Sequence, residues 1–516
     1  MRENPWYLSV RMVLLVTVVL PPLGLVLLWM RRGPGIVKKA FGSLGAVVLA
    51  VAYLVVFFGL RLQLDGGVMP RYLTFVRPEA QAEAIERHRE QQQRTLPVEK
   101  PVVPPDATET REETSPAVEP AAAEPGPPAA GSAYWSEYRG RRRDGHYDQM
   151  PVLTEWPATG LPLAWKQPVG GGYASFALAH GCAFTIEQRR DREVVAAYDM
   201  RSGREFWTHS WPALFQETLG GNGPRATPTW HEGRVYALGA TGFFRCLEHR
   251  TGKVIWARNI IEDAGAGNLT WGMAASPLVV DDKVIVLPGG GDGKSVAAYD
   301  RMTGEIAWTS LSDKQAYVSP MLVTLAGKRQ LLVVSSRRAM GLTVEDGTLL
   351  WEFPWKTSND TNSAQPVVVD DRRFVISSGY GRGAALVEIS LSDGRFDARA
   401  VWENVHLKTR FNSSVLHEGY LYGLDEGILV CIDAATGERR WKGGRYGYGQ
   451  VLLASGHLFI TSEDGDIVLV KATPEEHREV ASFPALNGRT WNVPAIADGY
   501  LLVRNAVEMA AYRISP

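Results

Sequence analysis

Two short runs in this sequence imitate ligand-binding loops. Residues 288–295 (PGGGDGKS) resemble a phosphate-binding loop, but Pro288 stands where that pattern requires glycine. The run also joins two strand-like segments, whereas a phosphate loop joins a strand to a helix. Residues 462–466 (SEDGD) resemble part of a calcium loop and also fit a tight turn between two strands. We interpret both runs as hairpin turns.

The residues that most often ligate metals or act as nucleophiles show no supporting spacing. Cys182, Cys246 and Cys431 form no CxxC, CxxCH or adjacent pair, which argues against zinc ribbons, thioredoxin-type sites and c-type haem. The ten histidines form no HExxH, HxH or HxxxH pair, and no GxSxG motif is present. We therefore predict no catalytic residue and no metal site. The 55 basic and 56 acidic residues nearly cancel, so no nucleic-acid partner is expected.

The elements that would carry any site belong to a repeated unit. A hairpin motif places a turn glycine four residues before a tryptophan, as in YDMRSGREFW ending at Trp207 and YDRMTGEIAW ending at Trp308. An expanded copy, ISLSDGRFDARAVW, ends at Trp402. The turn glycines recur every 43 to 52 residues, at Gly203, Gly252, Gly304, Gly347, Gly394 and Gly437. Repeats of about 40–50 residues with several strands are typical of propeller blades.

A second repeated pattern also indicates a propeller and gives the number of its blades. Eight short polar turns separate β-branched runs, which is the pattern of hairpins with two-residue turns. They are 180–181, 232–233, 281–282, 326–327, 370–371, 418–419, 455–456 and 498–499. Residues 160–516 then divide into eight units of about 45 residues. The predicted fold is all-β: an eight-bladed β-propeller of four-stranded antiparallel blades over residues 134–516.

Both ends of this domain are predicted to seal the ring. The eighth unit has three strands and lacks its outer strand and tryptophan, while residues 161–169 (LPLAWKQPV) form an orphan strand. If that strand completes the last blade, no sheet edge is left open at the seam. The outer-strand tryptophans are predicted to pack between neighbouring blades; they are Trp165, Trp207, Trp256, Trp308, Trp351, Trp402 and Trp441.

The YDxxTGxxxW units resemble the tryptophan-docking repeats of the pyrroloquinoline quinone (PQQ)-like, BamB-like propeller family. The leader YWSEYRGRRRDGHYD, followed by LTEWP and LPLAWK, is similar to bacterial members. WD-repeat propellers are excluded, because their Gly-His and Trp-Asp signatures are absent. The resemblance implies either of two functions: a non-catalytic binding scaffold like the outer-membrane assembly factor BamB, or a quinoprotein alcohol or sugar dehydrogenase that uses PQQ and calcium.

The scaffold is the preferred expectation. In the dehydrogenases that this fold resembles, a disulfide between adjacent cysteines lies against the quinone, and no two cysteines here are adjacent. The blades also lack the long insertions of those enzymes. We therefore expect no cofactor and a protein or peptide partner on one propeller face. PQQ-dependent oxidation and recognition of a polysaccharide or other small ligand remain the alternatives.

One column of the repeat carries interface-type residues. We aligned the start of each blade on Phe176, Pro228, Pro277, Pro320, Pro366, Ser414, Val451 and Pro494. Three residues upstream lie the eight positions that we call the mouth ring: Tyr173, Arg225, Ala274, Tyr317, Ser363, Phe411, Tyr448 and Trp491. Trp, Tyr and Arg often anchor interfaces, and Arg410, Asn412 and Asn492 are polar neighbours. The ring is interpreted either as packing between blades or as the mouth of a binding site.

The first 64 residues are predicted to form a membrane anchor. Met12–Met30 and Ala40–Leu60 are uncharged stretches of 19 and 21 residues, long enough to cross a bilayer, with Pro21-Pro22 kinking the first helix. The connection 31–39 holds the densest basic cluster, Arg31, Arg32, Lys38 and Lys39. The positive-inside rule places it in the cytoplasm. The propeller then lies on the periplasmic side of a bacterial inner membrane.

Residues 65–133 are predicted to be a linker. Residues 78–94 are expected to form a solvated helix without an apolar face. Residues 97–130 hold nine prolines, seven alanines and six glutamates, too little apolar surface to order themselves. We expect that stretch to be a semi-rigid spacer that holds the propeller away from the bilayer.

Overall fold

The computed structural model describes residues 5–32, 34–67, 69–75, 78–95 and 135–515. The predicted spacer 97–130 lies outside these residues. The chain divides into two compact units, residues 1–80 and 81–516, which are treated separately here. The first unit contains a 3-10 turn (Trp6–Leu8), helices α1 (Val10–Val19), α2 (Pro21–Met30) and α3 (Ile36–Phe58), and a hairpin of strands Leu60–Leu64 and Pro70–Phe75.

The first predicted span is two helices rather than one kinked helix. The chain leaves α-helical geometry at Leu20 (φ −137°, ψ 78°), because Pro21 disfavours helix in the residue before it and has no N–H to bond. Each ten-residue helix is only about 15 Å long, half of a hydrocarbon core. Among the described residues, α3 is the one helix that is long and apolar enough to cross a membrane.

Helix α4 (Pro78–Thr95) corresponds to the predicted linker helix. The expectation that it has no apolar face is wrong. Ala82 and Ile85 are each 6% exposed, because they lie against the propeller beside Val194. The few apolar side chains of the helix therefore contact residues that follow more than a hundred positions later in the chain.

Residues 135–515 form the predicted eight-bladed propeller of four-stranded antiparallel blades, and in blade 7 a two-residue strand, His146–Tyr147, adds a fifth strand parallel to the first. The strands of blades 1 to 4 are Ala177–Ala179, Cys182–Arg189, Arg192–Asp199 and Glu205–Pro212; Thr229–His231, Arg234–Leu238, Phe243–Glu248 and Val254–Asn259; Leu278–Val280, Lys283–Val286, Val296–Asp300 and Ile306–Ser310; Met321–Leu325, Lys328–Val334, Arg338–Leu342 and Leu349–Pro354. A short helix α5 (Ile260–Ala264) follows blade 2.

Blades 5 to 8 complete the circle. Their strands are Val367–Val368, Arg373–Ser378, Gly383–Ser392 and Arg395–Asn404; Val415–His417, Tyr420–Asp425, Ile428–Asp433 and Arg439–Arg445; Gln450–Ala454, His457–Thr461, Asp466–Lys471 and Glu479–Pro484; Ala495–Ala497, Tyr500–Arg504, Glu508–Arg513 and Leu163–Pro168. First strands of neighbouring blades contact one another, so they surround the axis. Antiparallel order puts the second-to-third and fourth-to-first connections on one face, which we call the mouth face. The other two connections lie on the opposite face.

The predicted ring closure is confirmed. Leu163–Pro168 pairs antiparallel with Glu508–Arg513, and Trp165 lies opposite Ala511. The strand from the beginning of the domain is thus the fourth strand of its last blade. The pairing covers the edge of Glu508–Arg513 and gives blade 8 the same four strands as the other blades.

The predicted hairpin turns form with the expected backbone at most sites. Both turn residues have positive φ at six of the eight turns, for example Ser455 (47°) and Gly456 (67°), as primed two-residue turns require. Asp370 and Asp371 do not adopt this geometry. Residues 288–295 and 462–466 join the second and third strands of blades 3 and 7, in agreement with their interpretation as turns.

Tryptophan docking joins each blade to the next. The indole N–H of Trp256 donates to the carbonyl oxygen of Arg301 in blade 3 (3.1 Å), and Gly304 in the same turn lies against the ring face. Equivalent bonds of 2.8–3.2 Å run from Trp165, Trp207, Trp308, Trp402 and Trp441 to Met200, His249, Val344, Ala434 and Thr473. The bond from Trp165 crosses the closure seam into blade 1.

Trp351 departs from this pattern. Its indole donates to Gln330 of its own blade (2.6 Å), and its ring lies 5.6 Å from that of Phe374 in blade 5. The departure follows from the expanded hairpin of blade 5, whose turn glycine, Gly394, has no other residue within reach of an added Cβ.

This difference provides a matched test of docking. Gly304 and Gly394 have nearly identical φ (72° and 74°), but a Cβ at Gly304 would lie 2.6 Å from Trp256 Cδ2. Gly394→Ala should destabilise the propeller by about 1 kcal/mol through backbone strain alone. Gly304→Ala should cost about 1–3 kcal/mol more, because it also displaces the indole. Urea unfolding monitored by tryptophan fluorescence measures both; equal losses would contradict docking through Gly304.

Candidate functional site

The mouth ring lies on the mouth face, in the connections that enter each first strand. Four of its aromatic residues, from blades 6, 7, 8 and 1, form a continuous arc. Ring centroids are 5.8 Å apart for Tyr448 and Phe411, 4.7 Å for Phe411 and Trp491, and 5.5 Å for Trp491 and Tyr173. The guanidinium of Arg225 continues the arc, 5.5 Å from the Tyr173 ring. These side chains are half-buried or buried, so the arc packs neighbouring blades together as well as lining the mouth.

The rest of the mouth ring is not joined to this arc. Tyr317 lies 5.5 Å from Trp271, and its hydroxyl accepts the Trp271 backbone N–H (3.4 Å). Burial raises the pKa of Tyr317 to about 12, so it stays protonated at neutral pH. Ala274 and Ser363 are small and add no aromatic surface. The mouth ring is therefore asymmetric, because most of its aromatic residues lie on blades 6, 7, 8 and 1.

Charged residues of the mouth are held by partners within the chain. Arg410 Nε donates to Glu426 (3.1 Å), which also accepts the Tyr448 hydroxyl (2.9 Å). Glu463 accepts the indole N–H of Trp491 (2.9 Å) and the Tyr448 backbone N–H (3.2 Å). These bonds fix the orientation of the aromatic rings in the arc.

Arg225 is held in the same way. Its guanidinium donates to the carbonyl oxygens of Gly221 (2.6 Å) and Gly223 and stacks over Phe215 at 4.5 Å. Burial lowers its pKa to about 10, which still leaves it charged. The loop 213–224 is thereby drawn over the mouth, where Arg489 from blade 8 also donates to Gly220 O (2.7 Å).

The two predicted asparagines lie deeper, in the channel wall. Asn492 donates to the carbonyl oxygens of Gly172 (3.2 Å) and Ala174 (3.0 Å), which ties blade 8 to blade 1. Asn412 is 1% exposed, and neither its amide nitrogen nor its amide oxygen has a hydrogen-bond partner among the described residues. These asparagines therefore belong to the wall below the mouth ring.

A belt of hydrogen bonds around the axis is a feature that sequence reasoning missed. It uses the residue just before each aligned strand start. Ser175 N–H donates to Thr227 Oγ1 (3.0 Å), Thr227 N–H to Ser276 Oγ (2.9 Å), and Ser276 N–H to Ser319 Oγ (2.9 Å). Gln365 donates to Ser319 O (2.8 Å) and Ser413 Oγ (3.0 Å). The Gln450 amide joins blades 6 and 8 through the carbonyl oxygens of Phe411 (3.2 Å) and Trp491 (2.9 Å), and Ser175 Oγ donates to Val493 O (2.5 Å). The signal was a column of Ser, Thr and Gln in the same alignment.

The leader segment was also underestimated. Residues 135–148 lie at the axis on the face opposite the mouth, where Trp135 pairs with Leu178 and His146 with Leu453. Arg139 and Arg143 point inward and are each 1% exposed. Sequence reasoning used this leader only as a family resemblance.

These two arginines bond to first-strand carbonyl groups of several blades. Arg139 donates to Val451 O (3.1 Å) and Ser414 O (3.0 Å). Arg143 donates to the carbonyl oxygens of Ser276 (3.0 Å), Pro277 and Pro320 (2.9 Å), and it pairs with Glu137 (2.7 Å). The leader thus fills the axial end of the channel on one face and leaves the mouth ring on the other.

The residues at the mouth do not fit PQQ with calcium. The carboxylates of PQQ require clustered cationic groups, but Arg225 and Arg410 already donate to carbonyl and carboxylate oxygens of the chain. Calcium requires several oxygen ligands. In the described part of the chain, no group of three or more His, Cys, Asp or Glu side chains could hold a metal ion. Cys182, Cys246 and Cys431 are all unpaired.

Comparison with known proteins agrees with this architecture. The family model described as outer membrane protein assembly factor BamB matches residues 191–443. BamB of Yersinia pestis is 21% identical over 355 residues, which cover 65% of this chain and 85% of that protein. The resemblance indicated by the repeats is confirmed as a similarity: the propeller region of this chain is similar to BamB proteins in sequence.

Solved structures share the fold. BamB from Moraxella catarrhalis superposes with a TM-score of 0.50 at 15% identity, covering 68% of this chain and 99% of that one. The quinohemoprotein alcohol dehydrogenase from Comamonas testosteroni gives a TM-score of 0.51 at 13% identity, covering 75% and 81%. At these identities the structural likeness identifies the propeller and leaves the two functions to be separated by the site itself.

Arg143 provides a test of the leader. Arg143→Met should destabilise the propeller by about 3–5 kcal/mol, because Glu137 and three carbonyl groups lose a buried partner. The neighbouring control is Arg142→Met, which removes exposed pairs with Asp144 and Asp148 and should cost at most about 1 kcal/mol. Urea unfolding compares the two variants; similar losses would show that the leader does not support the ring.

Glu193, behind the mouth ring, provides a pH test. Its carboxylate is fully buried and accepts Trp211 Nε1–H (2.9 Å) and Ala240 N–H (2.8 Å), and burial raises its pKa from 4.5 to about 7. The folded state then binds a proton more tightly than the unfolded state, so stability falls as pH rises from about 4.5 to 7. Glu193→Gln removes the titrating carboxyl group and with it this pH-dependent contribution to stability.

Relative to the parent, Glu193→Gln should therefore gain about 3 kcal/mol between pH 4.5 and 8, since each unit of pKa shift corresponds to about 1.4 kcal/mol. Unfolding free energies of both proteins, measured across this range, give the difference. Parallel pH profiles would contradict a raised pKa at Glu193.

Proposed function

We propose that this chain is a membrane-anchored, non-catalytic scaffold whose propeller binds a protein or peptide partner through its mouth face. The observation that carries the proposal is the difference between the two faces. The leader occupies the axis on one face, whereas the other presents the arc of Tyr448, Phe411, Trp491, Tyr173 and Arg225. These residue types commonly anchor protein interfaces, and their orientations are already fixed by Glu426 and Glu463. The relative from Yersinia pestis is named as an assembly factor, a role in keeping with protein partners.

The anchor in this proposal is α3 (Ile36–Phe58), the apolar helix of sufficient length. The basic residues before and at its start, Arg31, Arg32, Lys38 and Lys39, favour a cytoplasmic position for that end. The propeller would then lie on the periplasmic side of a bacterial inner membrane. Labelling of single cysteines introduced at residues 34 and 418 with a membrane-impermeant maleimide tests this orientation in intact cells. Only the second should react; the reverse result would contradict it.

The partner-binding proposal is tested in native membranes. Trp491→Ala and Phe411→Ala should each reduce the yield of a partner cross-linked to the propeller at least tenfold, because each removes an aromatic anchor of the arc. The matched control is Phe206→Ala, which removes an aromatic ring that is 49% exposed on the outer strand of blade 1. Its yield should stay unchanged. Full recovery in the two mouth variants, with unfolding curves like the parent's, would exclude the mouth as the interface.

The quinoprotein alternative is separated by an activity assay. Purified full-length protein, incubated with PQQ and calcium, is expected to show no dye-linked oxidation of alcohols or sugars above the rate without protein. Sustained turnover would instead establish the enzyme. If a polysaccharide or other small ligand were the true occupant, it would change the tryptophan fluorescence of the parent, but not that of Trp491→Ala, without any protein partner.

A further inference from the structure

Helix α4 contacts the propeller at the seam between its last and first blades. The Gln81 amide nitrogen donates to two carbonyl oxygens, Val169 O (2.7 Å) and Ala506 O (2.6 Å), both next to strands of blade 8. About two and three helical turns after Gln81, His88 and Gln92 both lie within hydrogen-bond distance of Gln167 Oε1 (3.0 and 3.3 Å). Gln167 lies on Leu163–Pro168, the strand that closes the ring.

The same helix also reaches blade 1. Arg89 pairs with Glu205 (2.7 Å) on the outer strand, and Glu205 pairs in turn with Arg189 (2.6 Å). Arg189 bonds Glu187, whose side chain is fully buried. Glu86 and Arg190 add a pair at 3.1 Å, more exposed and therefore weaker. The charges of α4 thus extend a network that begins in the core of blade 1.

Apolar contact accompanies these bonds. Ala82 and Ile85 are buried in a crevice whose other wall includes Val194 and Thr208 of blade 1. Glu83, Arg87 and Glu90, on the opposite side of the helix, are exposed. One face of residues 81–95 therefore packs against the propeller and the other is exposed to solvent, although the sequence is almost entirely polar.

The location gives this contact a function. A propeller that closes with strands from both chain ends holds its last blade by non-covalent pairing alone, here between Leu163–Pro168 and Glu508–Arg513. Helix α4 bonds residues of both blades across that seam. It also precedes the Pro/Ala/Glu-rich stretch 97–130, so the chain meets the propeller first at residue 81 and again at residue 135.

We propose that residues 81–95 are a brace that holds the seam between blade 8 and blade 1 of the propeller.

Hydrogen exchange of the full-length protein in nanodiscs tests the brace. Amides of residues 84–95 and of the closing strand should be protected in the parent, and Ile85→Asp should speed their exchange at least tenfold. Arg87→Asp introduces the same residue on the exposed face and should change it less than twofold. Gln81→Ala, a milder change, should give an intermediate loss. Unprotected amides in the parent, or equal rates in both aspartate variants, would overturn the brace.

Discussion

The propeller depends on one interaction that recurs around the ring: an indole N–H donated to a backbone carbonyl of the next blade, with a glycine turn against the ring face. Six of the seven outer-strand tryptophans make this hydrogen bond. A glycine is needed at Gly203, Gly252, Gly304, Gly347 and Gly437 for two reasons, a positive φ and the absence of space for a Cβ. The bond joins the outer strand of each of these blades to the hairpin of the next blade around the ring.

Docking of the outer strands does not provide hydrogen-bond partners for the backbone groups near the axis. The first strands bring backbone groups together where no further strand can pair with them, and buried polar groups need partners. The belt of Ser, Thr and Gln side chains answers this need between neighbouring blades. Arg139 and Arg143 answer it across the axis, since a planar guanidinium can donate to carbonyl groups of several blades at once. Because the leader supplies both arginines from one side, the two faces of the propeller become different.

The periodic part of this architecture was predictable, and the non-periodic part was not. Glycine turns, tryptophans and the orphan strand around Trp165 recur or complement one another along the chain, so the sequence alone indicates eight blades and their closure. The leader and α4 occur once, and their inward faces are defined by distant residues: Arg139 bonds Val451, about 300 positions away, and Ile85 lies against Val194, about 110 positions away. Trp351 shows the same limit within the repeat: its tryptophan is regular, but its neighbour's hairpin is not. At the mouth, the alignment brought the aromatic column to one face but could not show that it forms an arc on one side.

A fold shared by dehydrogenases and an assembly factor cannot by itself distinguish them, so the proposed function rests on how charged groups are used at the mouth. A site built for an anionic cofactor and a divalent cation must keep arginines and carboxylates available for the ligand. Here Arg225 and Arg410 donate to the chain's own oxygens, and Glu426 and Glu463 orient Tyr448 and Trp491. The two carboxylates therefore hold aromatic side chains in place, and the two arginines are bonded within the chain. Rings whose rotamers are already fixed lose little entropy when another surface covers them, and this is the arrangement that favours binding a partner.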